Sequence, residues 1–448
     1  MDPVKRLRKK VKENDETTVR TFAARMELTD DIGKLKKKLG VAVYDPKVER
    51  ANIENAKRLA GRMGIPRAMV ESVMRTVIAE SRLRQEAARL GPRKRPAGEN
   101  ISWHFPPPRE FRAAIPRSEK AGDVVEAGRS VIRNILDGKD RRAILIMGPC
   151  SIHDPGEAEE YARRMHGLQK KVDDKLLLVM RAYVEKSRTG KGWTGFLADP
   201  YLDGTGDVQE GITASRKLLN RLAELGVPTA VEFISPMAAQ YIGDLVSWAA
   251  VGARSSGTQT HRDMASGLDM PVGFKNGLDG SIGSATGAVE YASRGHTFLG
   301  ADDSGRIGAM TTNGNPYCHL VLRGGGKPNY SREEVKAAQK AMAAAGLRTQ
   351  IIVDCSHGNS GKVAANQIGV FNDVARQMKS NPNIVGMMLE SHLEGGKQKL
   401  PEDLAGFNRS KLRRGVSVTD ECLGWKETEK LILEACEGSI RLGGRKVY

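Results

Sequence analysis

Five basic residues in the last two thirds of the chain each follow a short apolar run closely: Arg181, Lys186, Arg254, Lys275 and Arg323. The planar guanidinium of arginine binds paired oxygens of carboxylates and phosphates, and lysine adds a compact positive charge. If the fold brings these five cations to one site, they form a cationic basin that can bind more than one anionic group. The alternative is that each cation pairs with a structural Asp or Glu, which is a common arrangement for a single arginine.

A second set combines one thiol, one imidazole and two carboxylates: Cys150, His357, Glu390 and Asp420. This mixture of ligands suits a first-row transition metal better than magnesium or calcium. No CxxC or HxxxH spacing supports a metal site, and a lone cysteine is more often a small buried apolar residue. The four residues form a candidate site only in a fold that brings distant segments together.

Eight short apolar runs supply such a fold. They cover residues 143–147, 176–180, 230–233, 249–253, 271–274, 319–322, 350–353 and 384–389. Segments typical of helices, such as 211–225 and 332–345, lie between them. Eight strand-and-helix units in succession predict an α/β protein with a (β/α)8 TIM barrel, whose active site is built at the C-terminal ends of the strands.

The first 90 residues predict a separate all-α domain of three helices. Apolar residues recur at helical spacing over residues 4–39, a break follows at 40–46, and two further helices run through Ala60 and to about Leu90. Residues 91–109 are rich in proline and basic side chains and predict an extended linker. The predicted domains are residues 1–92, a linker over 93–109, and a barrel over 110–448.

The 448-residue chain carries a net charge of +17, and residues 1–98 hold 25 Lys and Arg against 13 Asp and Glu. Because Phe22 and Tyr44 are the aromatic residues of that segment, nucleic-acid binding by base stacking is disfavoured and small anionic substrates are preferred. Five cysteines without paired spacing, and no long apolar run, predict a cytoplasmic protein that does not bind membranes.

Several strings of the second domain resemble the type I 3-deoxy-D-arabino-heptulosonate 7-phosphate (DAHP) synthases. They are GPCSIHDP, RAYVEKSRT, GAR followed by THRDMASGL, PVGFKNGLDG, CHLVLRGGGKPNYS, VDCSHGNS and VTDECLGW, within about residues 110–440. The resemblance implies condensation of phosphoenolpyruvate with erythrose 4-phosphate, the first step of the shikimate pathway. It also implies a divalent transition metal, which is manganese, iron, cobalt or zinc.

The resemblance also implies a role for each site residue. The metal ligands are Cys150, His357, Glu390 and Asp420; phosphoenolpyruvate is bound by Arg181, Lys186, Glu232, Arg254, Lys275 and Arg323; and the phosphate of erythrose 4-phosphate is bound by Arg188 and Thr189. We expect Lys186 and His357 to act in the chemistry, with Lys186 donating a proton to the new alkoxide. The family's Lys-Pro-Arg-Thr motif has Ser187 in place of proline here, and residues 255–257 read Ser-Ser-Gly where Thr-Thr-Glu is usual.

Two alternatives to this function stay open. One is a related barrel synthase that uses another aldose, such as arabinose 5-phosphate, although the KSRT string speaks against it. The other is an inactive barrel that serves as a partner for a separate mutase.

The N-terminal domain resembles the all-α chorismate mutases in the strings LRKKV, AARMELTDDIGKLKKK, VYDP and SRLRQ. Arg25 and Lys36 are 11 residues apart, which returns to within roughly 20° of the same helix face. The resemblance implies a chorismate site formed by Arg8 of a partner chain, Arg25, Lys36, Asp45, Glu49, Ser81 and Gln85. Val48 stands where the family commonly has arginine, so the alternative is a docking or dimerisation module without mutase activity.

Regulation and assembly are further expectations from the two resemblances. Residues 296–315 match the position of a hairpin that binds an aromatic amino acid in relatives without the helical domain. Our hypothesis here is that chorismate or prephenate, bound in the helical domain, inhibits the barrel instead. A homo-oligomer, either a dimer or a tetramer, is expected.

Overall fold

The computed structural model describes residues 3–41, 43, 45–90, 105–405 and 407–438. The chain forms two compact units, which comprise residues 1–104 and 105–448. Within the described residues, no helix combines the length and the apolar character needed to cross a membrane.

The described residues of the first unit form three helices, as predicted. They are α1 (Pro3–Leu39), α2 (Pro46–Arg62) and α3 (Arg67–Leu90). Gly40, with φ of +67°, follows α1, and Asp45 caps α2 by accepting the N–H groups of Lys47 and Val48. Helices α1 and α2 both pack against α3, with Ile53 and Ile78 among the buried residues.

The second unit is a closed barrel of eight parallel strands, which confirms the predicted fold class. Between residues 105 and 438, the described part of the chain forms ten strands in chain order: β1 (Ala143–Gly148), β2 (Leu176–Arg181), β3 (Thr229–Glu232), β4 (Trp248–Val251), β5 (Val272–Lys275), β6 (Thr297–Ala301), β7 (Ile307–Thr311), β8 (Cys318–Leu322), β9 (Ile351–Asp354) and β10 (Ile384–Glu390). The barrel order is β1-β10-β9-β8-β5-β4-β3-β2, and every predicted apolar run overlaps one of its strands.

Ten α-helices accompany the barrel strands in the part of this unit that the structure describes. They are α4 (Pro108–Ala114), α5 (Glu119–Leu136), α6 (Pro155–Val172), α7 (Val208–Glu224), α8 (Pro236–Ile242), α9 (Gln259–Ser266), α10 (Gly283–Ala292), α11 (Arg332–Ala344), α12 (Asn366–Met378) and α13 (Trp425–Gly438). Strands β6 and β7 pair antiparallel outside the barrel, so a hairpin is present within residues 296–315.

The predicted linker is described from Phe105 onward. The rings of Phe105 and Phe111 contact Tyr241 edge to face, at centroid distances of 6.0 and 5.3 Å. The N–H of Arg109 donates to the carbonyl of Asp303. Residues 105–109 therefore pack against the barrel unit, and the domain boundaries themselves stay a prediction.

Apolar side chains fill the barrel interior up to the layer that carries the polar site. Ile144, Val179, Val321 and Ile352 are fully or almost fully buried there, together with the ring of Trp248. A Cβ on Gly273 would lie 2.3 Å from that ring, so only glycine leaves room for the indole. This packed core fixes the strand ends on which the site depends.

Candidate active site and metal centre

The polar residues predicted from the sequence lie at the C-terminal ends of the barrel strands. Arg181, Glu232, Lys275 and Glu390 are the last residues of β2, β3, β5 and β10. A cavity of about 630 Å³ opens at this end of the barrel. All eight predicted substrate-binding residues line it: Arg181, Lys186, Arg188, Thr189, Glu232, Arg254, Lys275 and Arg323.

The four proposed metal ligands converge beside this cavity. Ligand atoms of Cys150, Glu390 and Asp420 all lie within 4.8 Å of one another. Nε2 of His357 lies 3.5 Å from Oε1 of Glu390. The barrel therefore brings together four residues that are up to 270 positions apart in the sequence.

His357 is held so that one ring nitrogen faces the other ligands. It has a left-handed backbone conformation, with φ of +55°. Its Nδ1 lies 2.9 Å from Oδ2 of Asp354 and 2.7 Å from Oγ of Ser356. Burial alone would raise the pKa of Asp354, but the nearby His357, Lys275 and Arg181 hold it well below its usual range. The Ser356 hydroxyl, together with the nearby Asp354 carboxylate, thus holds Nδ1 and leaves Nε2 for a ligand.

The Cys150 thiol and the Asp420 carboxylate share a cationic neighbour. Nζ of Lys186 lies 2.7 Å from Sγ of Cys150 and 3.3 Å from Oδ2 of Asp420. Burial and the charge of Glu390 raise the pKa of Cys150 to about 11. The donor set of sulfur, imidazole nitrogen and two carboxylates fits a divalent transition metal.

The cavity is strongly cationic. Eight lysine and arginine side chains line it, against three carboxylates. Arg181 pairs with Glu390 at 2.9 Å, and Lys275 pairs with Glu232 at 3.1 Å. Some cations of the basin therefore pair with carboxylates of the protein, as the alternative interpretation of the sequence predicted.

Arg254 and Arg323 are different. Among the described residues, neither forms an ion pair: Arg254 donates to the Thr189 hydroxyl, and Arg323 donates to the Gly324 carbonyl. Two guanidinium groups are therefore available for carboxylate or phosphate oxygens.

Sequence reasoning missed several polar residues of the site. Glu185 lines the cavity, and burial raises its pKa to about 7 although the N–H groups of Ile234 and Ser235 donate to it. Tyr183 places its ring 3.9 Å from the Arg181 guanidinium carbon. Both residues lie between Arg181 and Lys186 in the sequence, and only those two cations were predicted as site residues. Asp354 ends β9, the position at which the other strands had already supplied site residues.

The predicted chorismate residues lie in the helical unit. Lys36 Nζ donates to the Val43 carbonyl at 2.8 Å, and Ser81 Oγ donates to the Val77 carbonyl at 2.7 Å. Nε of Arg25 and Oε1 of Gln85 are buried without a hydrogen-bond partner among the described residues. These unsatisfied groups are suited to a polar ligand.

Three other predicted chorismate residues have different surroundings. Arg8 is exposed. The Asp45 carboxylate caps α2, which is a structural role. Glu49 pairs with Arg82 at 2.9 Å, and Arg82 was not predicted. The cation beside Glu49 thus comes from α3, whereas Val48, its neighbour in sequence, is apolar and exposed.

Comparison with known proteins agrees with both units. Residues 115–433 match the family model described as DAHP synthetase I family, and residues 7–86 match Chorismate mutase type II. A Tyr-sensitive phospho-2-dehydro-3-deoxyheptonate aldolase of Salmonella typhimurium is 46% identical over 328 residues, which cover 73% of this chain and 91% of that protein. The Phe-sensitive protein of Escherichia coli K12 is 42% identical over 327 residues, covering 73% and 92%.

A solved structure is also similar. The phospho-2-dehydro-3-deoxyheptonate aldolase of Francisella tularensis SCHU S4 has a TM-score of 0.72 and 38% sequence identity, and the match covers 78% of this chain and 100% of that chain.

Proposed function

The chain belongs to the DAHP synthetase I family, and we propose that its barrel condenses phosphoenolpyruvate with D-erythrose 4-phosphate to DAHP and phosphate. The observation that carries this proposal is a single cavity in which eight cations adjoin four converging metal-ligand candidates. The two substrates are both anionic and repel each other in water. A cationic cavity lowers that repulsion and holds them in a reactive orientation.

We propose that the two substrates bind at different parts of the cavity. Arg254 and Arg323 have no carboxylate partner in the described structure and supply donors for the carboxylate and phosphate of phosphoenolpyruvate, next to Arg181 and the Lys275–Glu232 pair. Arg188 Nε donates to the Trp193 carbonyl, which leaves its terminal nitrogens for the aldose phosphate beside Thr189. Ser187 in place of proline leaves both Arg188 and Thr189 on the cavity wall.

Cys150, His357, Glu390 and Asp420 are the proposed ligands of one divalent ion of manganese, iron, cobalt or zinc. When bound, such an ion polarises the aldehyde oxygen or lowers the pKa of the attacking water. Lys186 is the proposed proton donor to the new alkoxide, because its ammonium lies between the metal ligands and the Arg188 loop. His357 contributes through the Nε2 that Asp354 and Ser356 orient.

Phosphate release from phosphoenolpyruvate and erythrose 4-phosphate, with and without chelator and added manganese, tests this function. We expect phosphate release that is lost with chelator and restored by manganese. Faster turnover with arabinose 5-phosphate would favour the related synthase. The absence of turnover with either aldose would favour an inactive barrel.

We propose chorismate mutase as a second activity of the helical unit. The family match over residues 7–86 supports it, as do the unsatisfied buried atoms of Arg25 and Gln85. Arg82 provides a guanidinium near Glu49, where Val48 cannot. Chorismate consumption by the full chain and by Lys36→Ala tests the activity, and no consumption by the parent would leave a docking module.

The regulatory hypothesis depends on this helical unit. We expect prephenate to inhibit phosphate release by the parent and to have no effect on Lys36→Ala. An equal response of the two proteins would reject inhibition through the helical unit.

A homo-oligomer is the proposed assembly. Leu7, Val11 and Leu28 on α1 are 63%, 59% and 66% exposed, which is unusual for so many large apolar side chains on one helix. Light scattering of the full chain tests this, and a monomer at micromolar concentration would contradict it. The cytoplasmic location stays a prediction.

A further inference from the structure

A buried carboxylate on α6 contacts three separate segments of the chain. Glu157, the third residue of α6, is 6% exposed. Its Oε2 lies 3.4 Å from Nε2 of His153 and 3.3 Å from Nε2 of His392. Its Oε1 accepts the N–H of Gly415 at 2.8 Å. One carboxylate thus contacts the loop after β1, the segment after β10 and the loop before α13.

Each of those three contacts lies close in sequence to a different metal-ligand candidate. His153 follows Cys150 by three positions and His392 follows Glu390 by two, while Gly415 precedes Asp420 by five. Glu157 itself contacts none of the ligands in the described structure. It therefore contacts the chain segments that carry these ligand candidates and not the ligand side chains.

Backbone hydrogen bonds make the connection between these segments stiff. The N–H of Ser391 donates to Gly148, which ends β1, and the N–H of Leu423 donates to Glu390. The backbone N–H of His392 donates in turn to the Leu423 carbonyl. A movement at Glu157 would consequently change the positions of all three segments.

The His153–Glu157–His392 group has the composition of a metal site itself, but its hydrogen bonding indicates otherwise. Nδ1 of His392 accepts the N–H of Leu393 at 2.8 Å, which places the proton of a neutral ring on Nε2. A protonated Nε2, which lies 3.3 Å from Oε2 of Glu157, cannot bind a metal. Burial alone would raise the pKa of Glu157, but the His392 and Gly415 donors hold it below its usual range, so the group is a carboxylate.

We propose that Glu157 is a positioning residue that sets the relative placement of Cys150, Glu390 and Asp420, and hence the affinity of the metal centre. This inference rests on the proposed metal site. Small displacements of ligands reduce metal affinity, and loss of a supporting group typically costs about 10- to 100-fold. His357 is fixed independently by Asp354, so three of the four ligands depend on Glu157.

The test is a Co²⁺ titration of the parent, Glu157→Gln and the control Glu159→Gln. Glutamine keeps the size of the side chain but removes the negative charge that lies beside both histidines. Glu159 is on the same helix, where its carboxylate pairs with Arg163 and Arg221 away from the site. We expect the dissociation constant of Co²⁺ to rise about 10- to 100-fold in Glu157→Gln and to stay within about 2-fold of the parent in the control.

Spectra distinguish positioning from a general loss of structure. The thiolate-to-cobalt absorption band reports ligation by Cys150, and we expect Glu157→Gln to reach the parent's intensity only at higher Co²⁺. Synthase turnover at saturating metal, with an unchanged KM for phosphoenolpyruvate, would agree with that. If Glu157→Gln does not fold, His153→Asn removes one donor only and is expected to weaken Co²⁺ binding to a smaller extent.

Several outcomes would overturn the inference. Unchanged Co²⁺ affinity in Glu157→Gln, with or without a lower melting temperature, would reduce Glu157 to a structural residue. Two equivalents of Co²⁺ in the parent and one in Glu157→Gln would make the histidine group a metal site. If the parent binds no Co²⁺, the metal centre itself is refuted as well. If the parent has no synthase turnover but Glu157→Gln still weakens Co²⁺ binding, only the proposed synthase is refuted.

Discussion

The ammonium of Lys186 lies 2.7 Å from the sulfur of Cys150. This contact joins the two halves of the site, because Lys186 also lines the substrate cavity whereas Cys150 belongs to the ligand group. Burial alone would lower the pKa of Lys186, but the charges of Asp420 and Glu390 contribute to raising it. Lys186 therefore carries a proton at neutral pH, which a proton donor requires.

Replacement of this donor is expected to act on the chemical step. We predict that Lys186→Met lowers kcat by about 10²- to 10⁴-fold, the usual contribution of a general acid. Steady-state phosphate release measures it, with the exposed Lys170→Met on α6 as the control. Near-normal turnover of Lys186→Met would remove Lys186 from the mechanism.

Removal of the metal is expected to abolish turnover, and removal of the thiol to weaken metal binding. The reason is that Cys150 is the proposed soft ligand, and a soft ligand favours transition metals over magnesium. We predict that chelator-treated protein regains activity with Mn²⁺, and that Cys150→Ser needs at least about 10-fold more Mn²⁺ for half of its maximal rate. Full activity of the parent in excess chelator would contradict the metal centre.

The proposed contact of Arg188 with the aldose phosphate predicts an effect on one substrate and not on the other. Its Nε is engaged by the Trp193 carbonyl, so the side chain is already oriented in the free protein. We predict that Arg188→Gln raises the KM for erythrose 4-phosphate about 10- to 100-fold, the scale of a lost charge-assisted hydrogen bond, and leaves the KM for phosphoenolpyruvate within about 2-fold. Arg163→Gln, an exposed residue of α6, is the control. An equal rise in both KM values would place Arg188 at a shared position.

The sequence was sufficient for the features that depend on local patterns. Apolar runs predicted the eight barrel strands, and a residue such as Glu390 or Lys275 at a strand end then has its place fixed by the closed barrel. Contacts between distant loops were not predictable in this way. Glu157 has the sequence context of an ordinary first-turn acid of α6, and only the barrel brings His392 and Gly415 to it.

The sequence also could not predict which cations of the basin have carboxylate partners. The five cations of the basin read alike, yet Arg181 and Lys275 have carboxylate partners and Arg254 and Arg323 form no ion pair among the described residues. The partner of each cation depends on the strand order, which places Glu390 next to β1 and Glu232 next to β4. A tally of charged residues cannot supply that order.

Acid is expected to destabilise the barrel through a histidine in its interior. His319 is fully buried; Trp248 Nε1 donates to its Nε2 at 3.2 Å, and its Nδ1 lies 3.0 Å from the Tyr317 carbonyl. Since indole only donates, Nε2 must accept, and the ring is neutral with its proton on Nδ1. Burial lowers the pKa of His319 to about 4, because a charged ring would lose hydration without gaining a carboxylate partner.

The sign of the pH effect follows from that depressed value. An unfolded histidine titrates near pH 6.5, so between about pH 6.5 and about pH 4 the unfolded chain binds a proton that the folded chain does not. The contribution of His319 to the stability of the fold is therefore complete above about pH 6.5 and falls as the pH drops, by about 3 kcal/mol over the whole window.

We predict that the free energy of unfolding of His319→Gln depends less steeply on pH than that of the parent, in urea unfolding followed by tryptophan fluorescence. The control His166→Gln, a partly exposed residue of α6, is expected to match the parent. Parallel losses of stability in the parent and His319→Gln would assign the acid sensitivity to other groups, of which buried His153 has a pKa lowered in the same direction by its burial.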